Sequence, residues 1–156
     1  NTINIYAGTN ENADLSNLAI RPFTHLGIQF QSVEQAFQFY KTEFSPKDEY
    51  NHAVGQAIMM STSGKDLRRL GRQFKGLNQE MWDKMAPTIM KQLILDSFTQ
   101  NPEAAKRLLD TGNAIFTHTQ DKGRWGTEFP RLLMEVREEL RNQTNNVTDD
   151  TVAIQE

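Results

Sequence analysis

Three polar residues at helical spacing are the first candidates for chemistry in this sequence. Gln38 and Lys41 follow Glu34 at four and seven residues, so the three side chains share one face of a helix. This face borders an apolar one, and a carboxylate at such an edge is partly desolvated, which suits acid–base catalysis. Acidic residues in a first helical turn also stabilise the helix dipole. Spacing alone favours that structural interpretation.

The two tryptophans differ in their surroundings. Trp82 recurs with Met85 and Ile89 at helical spacing, which is typical of a core residue. Trp125 ends the polar, glycine-containing segment 121–125 and has no periodic apolar partners. A ring in such a place packs over a cleft, stacks on a flat ligand or pins its own loop. The sequence leaves these roles open.

Two polar segments could bind a ligand with phosphate or hydroxyl groups. The first loop contains Asp14, Ser16 and Asn17, although loops of this composition are commonly plain turns. Arginines in the second segment could bind a pyrophosphate through bidentate hydrogen bonds. Basic residues at this density more commonly form the solvent-exposed face of a helix. Gly64-Lys65 lacks the rest of a Walker A motif. The basic residues of the second segment are Lys65, Arg68, Arg69, Arg72 and Lys75.

Composition narrows the class of protein. The chain has 156 residues, of which 37% are hydrophobic and 24% charged, as in one globular domain. Its net charge of -3 disfavours generic duplex nucleic-acid binding. The absence of cysteine excludes disulfides, thiolate nucleophiles and cysteine-bound metals. The three histidines do not have metal-ligand spacing. With no long apolar run or signal pattern, we expect no membrane partner and a cytoplasmic location.

The elements that must position these residues are mostly helical. Ser32 and Gln35 form a capping-box pattern before an apolar helix that ends at Pro46. Pro87 predicts either a kink or a helix start. The predicted class is α+β: a predominantly helical single domain, 1–141, with a few short strands, followed by a polar, flexible tail, 142–156. Helices are predicted over 32–44, 50–60, 66–74, around 82–93, 102–109 and 128–141, and strands over 3–6, 27–30 and 114–119.

Taken in order, short motifs along the chain resemble the NADAR (YbiA-like) family. They span roughly residues 3 to 141, nearly everything before the predicted tail. Each motif is weak alone, but the ordered set is specific. The matching pieces are 3–6, 15–19 with 22–23, 32–38 with Lys41, 71–72, 82–83, 108–109 with 111–113, Asp121 with 125–126, and 133–137.

The resemblance implies an N-glycosidase with the YbiA-like fold. Members of the family act on ADP-ribose-related or phosphoribosyl-amine compounds. Some cleave riboflavin-pathway intermediates, and others remove ADP-ribose from guanine in nucleic acid. We therefore expect hydrolysis of a ribosyl C–N bond without metal or cofactor, and as partner a small ADP-ribose-like nucleotide or an ADP-ribosylated nucleic acid. The alternative is a non-catalytic module that binds ADP-ribose or an NAD derivative as a sensor or sponge.

The resemblance also implies roles for particular residues. Glu34 matches the essential glutamate of the family and Asp121 its acidic residue before Trp-Gly, so both are expected to be catalytic. Relatives carry a glycine-rich loop after Trp-Gly, whereas here 127–131 reads Thr-Glu-Phe-Pro-Arg, so the rim of the pocket differs. The residues expected to bind substrate are Trp82, Trp125, Arg72, Lys41, Asn17, Gln38, Phe23 and Asn113.

Overall fold

The fold consists of short strands packed among helices. The computed structural model describes the backbone of residues 1–155 and the side chains of residues 1–144. This arrangement confirms the predicted class, an α+β and mostly helical domain. Its strands are β1 (Thr2–Asn4), β2 (Phe23–His25), β3 (Ile28–Phe30) and β4 (Ile115–Thr117). Its helices are α1 (Val33–Phe39), α2 (Glu49–Met59), α3 (Gly64–Gly71), α4 (Gln79–Thr99), α5 (Pro102–Asp110) and α6 (Trp125–Gln155).

Helix α1 is held at both its start and its buried face. The Ser32 side chain accepts a hydrogen bond from the backbone N–H of Gln35, as the capping-box pattern predicts. The Gln35 amide then donates to the carbonyl groups of Ile58, in the last turn of α2, and Ser61, just after it. The α-helix is shorter than predicted, because Tyr40–Phe44 continues as a 3₁₀ helix. The first turn of α1, which carries Glu34, is therefore fixed against α2.

The four strands form two pairs, one between segments far apart in the sequence and one between neighbouring segments. Strand β1 pairs in parallel with β4, so the N-terminal segment lies beside the segment that follows residue 117. Strands β2 and β3 form an antiparallel hairpin whose turn places Leu26 and Gly27 at positive φ. The sequence predicted β3 but not β2, because a three-residue strand is too short to show an alternating pattern.

Helix α4 runs through the core as one continuous element. Asn78 caps its start by accepting from the Met81 backbone N–H. Pro87 lies inside the helix and does not begin it. The buried residues of α4 include Trp82, Met90 and Leu93, which join the main hydrophobic core. This burial offsets the backbone hydrogen bond that Pro87 cannot make.

Helix α6 begins at Trp125, three residues before the predicted start. The N–H of Thr127 donates to the Arg124 carbonyl, so the first turn follows directly from the polar segment. The helix extends into the predicted flexible tail, 142–156, whose side chains beyond residue 144 lie outside the described residues. The boundary after residue 141 stays a prediction. Across the described residues, no helix combines the length and the apolarity needed to span a bilayer.

Candidate active site

One cavity brings together eight of the ten residues expected from the sequence to form a site. Its volume is about 590 Å³, which lies in the range of pockets for small-molecule ligands. It lies between α1, α3, α4, the start of α6 and the segment that follows β4. The eight residues are Asn17, Glu34, Gln38, Lys41, Arg72, Trp82, Asp121 and Trp125.

One side of the cavity is formed by Glu34, Gln38 and Lys41 of α1 and the 3₁₀ helix after it, which we name the helix wall. The Gln38 side-chain amide donates to Oε1 of Glu34 at 2.8 Å. The backbone N–H of Glu34 donates to the Asn17 carbonyl at 3.0 Å. The four-residue spacing that predicted a shared face thus produces a carboxylate with a fixed orientation.

Gly71 allows α3 to approach the helix wall. A Cβ atom on this residue would lie 1.9 Å from Oε1 of Gln38 and 3.2 Å from Nζ of Lys41. Lys41 donates from Nζ to the Gly71 carbonyl at 3.4 Å. Burial lowers the pKa of Lys41 below its ordinary value; the Glu34 carboxylate acts against this shift and the Arg72 guanidinium adds to it. The helix wall therefore combines an oriented carboxylate with a partly desolvated ammonium group.

Three aromatic rings form the apolar part of the cavity. The Phe37 ring lies between the two tryptophans, with centroids 4.9 Å from Trp82 and 5.2 Å from Trp125. Trp82 is only 5% exposed and belongs to the core, as its helical spacing predicts. Trp125 is half-buried at the start of α6. Trp125 therefore has more surface available to a flat ligand than Trp82 has.

Another part of the cavity lining is formed by His118, Asp121 and Trp125, which we name the loop wall. Nδ1 of His118 lies 2.6 Å from the Ile5 carbonyl oxygen. Asp121 accepts from the backbone N–H of Gly123 at 2.8 Å, and its other oxygen lies 3.9 Å from Nε2 of His118. Backbone contacts and the β1–β4 pairing therefore position the loop wall.

Asn17 is held beside Glu34 by a buried arginine. Arg21 donates to the carbonyl groups of Asp14 and Ser16, which fixes the loop that carries Asn17. Burial lowers the pKa of Arg21 to about 10. Within the described part of the chain, Oδ1 of Asn17 and Oε1 of Gln38 are buried without a hydrogen-bond partner. Unpaired buried acceptors are uncommon, and both belong to residues that line the cavity with Glu34.

Positive charge predominates around the cavity. Arg68 and Arg72 are exposed and lie four residues apart, at the end of α3. Lys41 and Lys122 add two further cations, against the two carboxylates already described. An arrangement of this kind attracts an anionic ligand. The other basic residues singled out from the sequence, Lys65, Arg69 and Lys75, do not line this cavity.

Two residues expected to bind substrate lie elsewhere. Phe23 is 2% exposed, lies in β2 and packs its ring against Phe30. Asn113 is exposed in the turn that joins α5 to β4. Strand pairing sends the Phe23 side chain into the core, and the turn after Gly112 places Asn113 at the surface. Neither residue belongs to the site described here.

Several cavity residues lie outside the set expected to form a site. Ser16 and Arg68 had been named as possible ligand contacts, and Arg68 had a usable signal, because it precedes Arg72 by four residues. His118 had none, since it follows a three-residue strand whose partner lies near the N-terminus. The cavity residues outside the expected set are Tyr6, Gly8, Ser16, Leu18, Phe37, Arg68, Met90, His118, Gln120, Lys122 and Phe129.

Two proteins with similar sequences are both named N-glycosidases. The chain is similar to the N-glycosidase YbiA of Shigella flexneri serotype 5b (strain 8401), with 26% identity over 147 residues, 88% of each protein. It is 33% identical over 70 residues to an N-glycosidase of Acanthamoeba polyphaga mimivirus, 44% of this chain and 41% of that one.

The fold and a domain family match along nearly the same length. The NMR structure of E. coli YbiA gives a TM-score of 0.74 at 25% identity, covering 92% of this chain and 86% of that chain. The NADAR domain matches residues 6–141, a span that contains every residue lining the cavity. The chain belongs to the NADAR domain family.

Proposed function

We propose that this protein is an N-glycosidase that hydrolyses the ribosyl C–N bond of an ADP-ribose-like or phosphoribosyl-amine nucleotide. One observation carries the proposal: Glu34 is held by Gln38 in a cavity that also offers aromatic rings and cationic side chains. The names of two relatives, both N-glycosidases, support the reaction class. The choice of nucleotide comes from the family resemblance, and the aromatic and cationic lining of the cavity is compatible with it.

Glu34 supplies the negative charge that the reaction needs. Cleavage of a ribosyl C–N bond builds positive charge on the sugar as the base departs. A carboxylate near the anomeric carbon stabilises this charge and can activate water. The hydrogen bond from Gln38 fixes the carboxylate in one orientation, so the enzyme does not have to order it during the reaction.

The remaining groups match the other parts of a nucleotide. Trp125 stacks against the base, while Trp82 and Phe37 form the apolar wall behind it. Asp121 orients water or a sugar hydroxyl group. The unpaired acceptor oxygen of Asn17 suits a ribose hydroxyl, because a hydroxyl donates a hydrogen bond to such an oxygen.

The cationic side of the cavity suits the phosphate end of the substrate. Arg72 and Arg68 are exposed at the end of α3, where their planar guanidinium groups can each make two bonds to phosphate oxygens. Lys41 adds a point charge between them and Glu34. In a substrate with phosphate next to the ribose, the phosphate would therefore contact the cationic side chains while the ribose lies near Glu34.

Base release tests the proposal directly. Purified wild type, Glu34→Gln and Glu43→Gln are incubated with NAD, a phosphoribosylamino-pyrimidine and an oligonucleotide carrying ADP-ribosylated guanine, and products are separated by chromatography. Glu43 is an exposed glutamate outside this cavity and serves as the matched control. We expect wild type and Glu43→Gln to release a free base from at least one substrate, and Glu34→Gln to release none.

The same experiment separates the enzyme from a binding module. ADP-ribose is added to each protein in a thermal melt. If ADP-ribose raises the melting temperature but no substrate loses its base, the enzyme proposal is wrong. The chain then acts as a sensor or sponge for ADP-ribose.

A further inference from the structure

The proposed reaction needs a proton for most leaving bases, and His118 occupies a place from which it can supply one. The three histidines of the chain differ sharply in their surroundings. His25 pairs with Asp96 between β2 and α4, and His52 is exposed on α2. His118 lines the cavity that contains Glu34. Its side chain keeps 22% exposure, so it is accessible from the cavity.

The hydrogen bond to Ile5 determines which ring nitrogen carries the proton in neutral His118. Nδ1 lies 2.6 Å from the Ile5 carbonyl oxygen, and a carbonyl oxygen can only accept. Nδ1 therefore carries the hydrogen, and Nε2 is left free to take up or release a proton. Ile5 is itself fixed, because its N–H donates to the Thr117 carbonyl at 2.9 Å.

Packing holds the ring so that Nε2 faces a carboxylate. The Phe129 ring contacts His118 edge-on, with centroids 5.5 Å apart. Nε2 lies 3.9 Å from Oδ2 of Asp121. That carboxylate is in turn oriented by the backbone N–H of Gly123.

We propose that His118 is the general acid of the reaction, an inference that rests on the proposed glycosidase function. The C–N bond breaks and its electron pair stays on the base nitrogen, which takes the proton from Nε2 of His118. Water then adds to the sugar carbon, and the proton it loses returns to Nε2 through Glu34 or solvent. The net change is nucleotide plus water giving free base plus sugar hydroxyl.

The other polar and charged groups around His118 are consistent with its role as general acid. Asp121 and Lys122 belong to the same loop, and Lys122 donates to the Thr119 carbonyl at 2.9 Å. Tyr6 contributes a hydroxyl group from the N-terminal side, while Glu34 and Lys41 lie on the helix wall. Among these groups in the described residues, Asp121 is the one whose charged atoms lie within ion-pair distance of the ring, at 3.9 Å from Nε2. Asp121 is thus a positioning residue for His118.

The variant His118→Asn separates acid catalysis from structure. The Asn amide can still donate to the Ile5 carbonyl, but nothing replaces Nε2. His52→Asn removes an exposed histidine outside this cavity and serves as the control. With a phosphoribosyl-amine substrate, whose leaving group must be protonated, we expect kcat of His118→Asn to fall by about 100-fold. With NAD, whose nicotinamide departs as a neutral base without protonation, kcat should be nearly unchanged.

An equal loss of kcat on both substrates would mean that His118 has only a structural role, and would overturn the proposal. If wild type cleaves only the amine substrate, the pH profile decides. The alkaline fall in kcat should be present in wild type and His52→Asn and absent in His118→Asn. An alkaline fall that persists in His118→Asn would contradict the proposal.

A measurement without substrate distinguishes failure of the glycosidase proposal from failure of the His118 proposal. Nitrogen NMR of 15N-histidine-labelled protein, with His118 assigned from the spectrum of His118→Asn, reports which ring nitrogen is protonated at high pH. We expect Nδ1–H for His118. Finding Nε2–H would overturn the proposal whatever the activity. Finding Nδ1–H while wild type cleaves no substrate would preserve the geometry but remove the glycosidase function, and with it the acid role.

Discussion

The helix wall and the loop wall face the same cavity but are positioned by different parts of the sequence. Glu34, Gln38 and Lys41 are neighbours by helical periodicity, and a four-residue hydrogen bond orients the carboxylate. His118 is positioned by the Ile5 carbonyl, which is 113 residues away in sequence. The side chain of Asn4 makes similar long-range bonds to Thr117 and Thr119. The arrangement of the helix-wall residues relative to one another therefore follows from helical spacing, whereas the position of the loop wall depends on the pairing of β1 with β4.

The strongest way to disturb the helix wall alone is Gly71→Ala. The new Cβ would lie 1.9 Å from Oε1 of Gln38, so Gln38 must leave Glu34. We expect kcat to fall by about 100-fold, because small misplacements of catalytic groups cost this much. The free energy of unfolding should fall by about 1–3 kcal/mol, because Gln38 is buried and the added methyl group overpacks this contact.

Gly55→Ala is the matched control for this change. Gly55 also lies in a helix, α2, and its Cβ would meet Thr42 at 3.0 Å, outside the cavity. Steady-state kinetics and urea unfolding of both variants give the comparison. Equal losses of kcat would contradict the view that Gln38 orients Glu34.

The corresponding change for the loop wall is Asn4→Ala. Asn4 Oδ1 accepts from the Thr117 hydroxyl at 2.8 Å and from the Thr119 N–H at 3.1 Å. Loss of these bonds should lower the free energy of unfolding by about 1–3 kcal/mol. It should lower kcat by about tenfold, because the loop wall loses part of its anchor.

Gln79→Ala provides a comparison for Asn4→Ala, since it removes an exposed amide that bonds only within α4 among the described residues. Chemical denaturation and base-release kinetics measure both variants. A normal kcat in a destabilised Asn4→Ala protein would show that the loop wall does not depend on this anchor.

Removing a cation from the cavity should have a smaller effect, which we expect in KM and not in kcat. Arg72→Ala should raise KM about tenfold for a phosphate-bearing substrate, because a hydrogen bond to a charged group contributes roughly 1.5 kcal/mol or more. The increase should shrink at high salt. Arg69→Ala is the control, because Arg69 lies on the same helix, pairs with Asp66 and does not line the cavity. Equal KM values for the two variants would remove Arg72 from the site.

The smallest expected effect concerns the stability contributed by Lys41. Its pKa is lowered by burial, so the unfolded chain binds more protons than the folded one between that lowered value and 10.5. The free energy of unfolding therefore rises with pH in this window, and the cost of burying the charge is fully present at neutral pH. Lys41→Met should melt at a higher temperature at pH 7 and lack this rise.

Urea unfolding from pH 7 to 10.5 checks the prediction for Lys41, with the exposed Lys84→Met as control. A wild-type slope that survives in Lys41→Met would assign the pH dependence to another group. The same variant should bind a phosphate-bearing ligand less tightly. Lower affinity with higher stability would mark Lys41 as a residue kept for binding.

The contrast between the walls also explains what the sequence could predict. The stripe of Glu34, Gln38 and Lys41 follows from helical spacing, and the structure brings all three to one cavity. Asp121 and Trp125 were chosen through the family resemblance, because a loop has no periodicity that reveals its neighbours. His118 was missed because its partner Ile5 directly follows β1, and a parallel pair of three-residue strands leaves little pattern.

Two further points depend on tertiary structure that the sequence does not reveal. Pro87 was left open as a kink or a helix start, yet the buried face of α4 continues on both sides of it. Phe23 was expected at the site because it belongs to a family motif, and the β2–β3 hairpin places its ring in the core. Local sequence propensity cannot predict whether a helix continues through a proline or where a ring is buried, because tertiary packing outweighs it.

The most direct test of the central claim compares binding with turnover in Glu34→Gln. Once a substrate is known, its Kd is measured by calorimetry and its kcat by base release, for wild type and variant. We expect kcat to fall by at least about a thousandfold while Kd changes by less than about threefold, because Glu34 acts on the sugar cation and not on the bound ground state. A variant that keeps wild-type kcat would contradict the claim that Glu34 is the catalytic carboxylate.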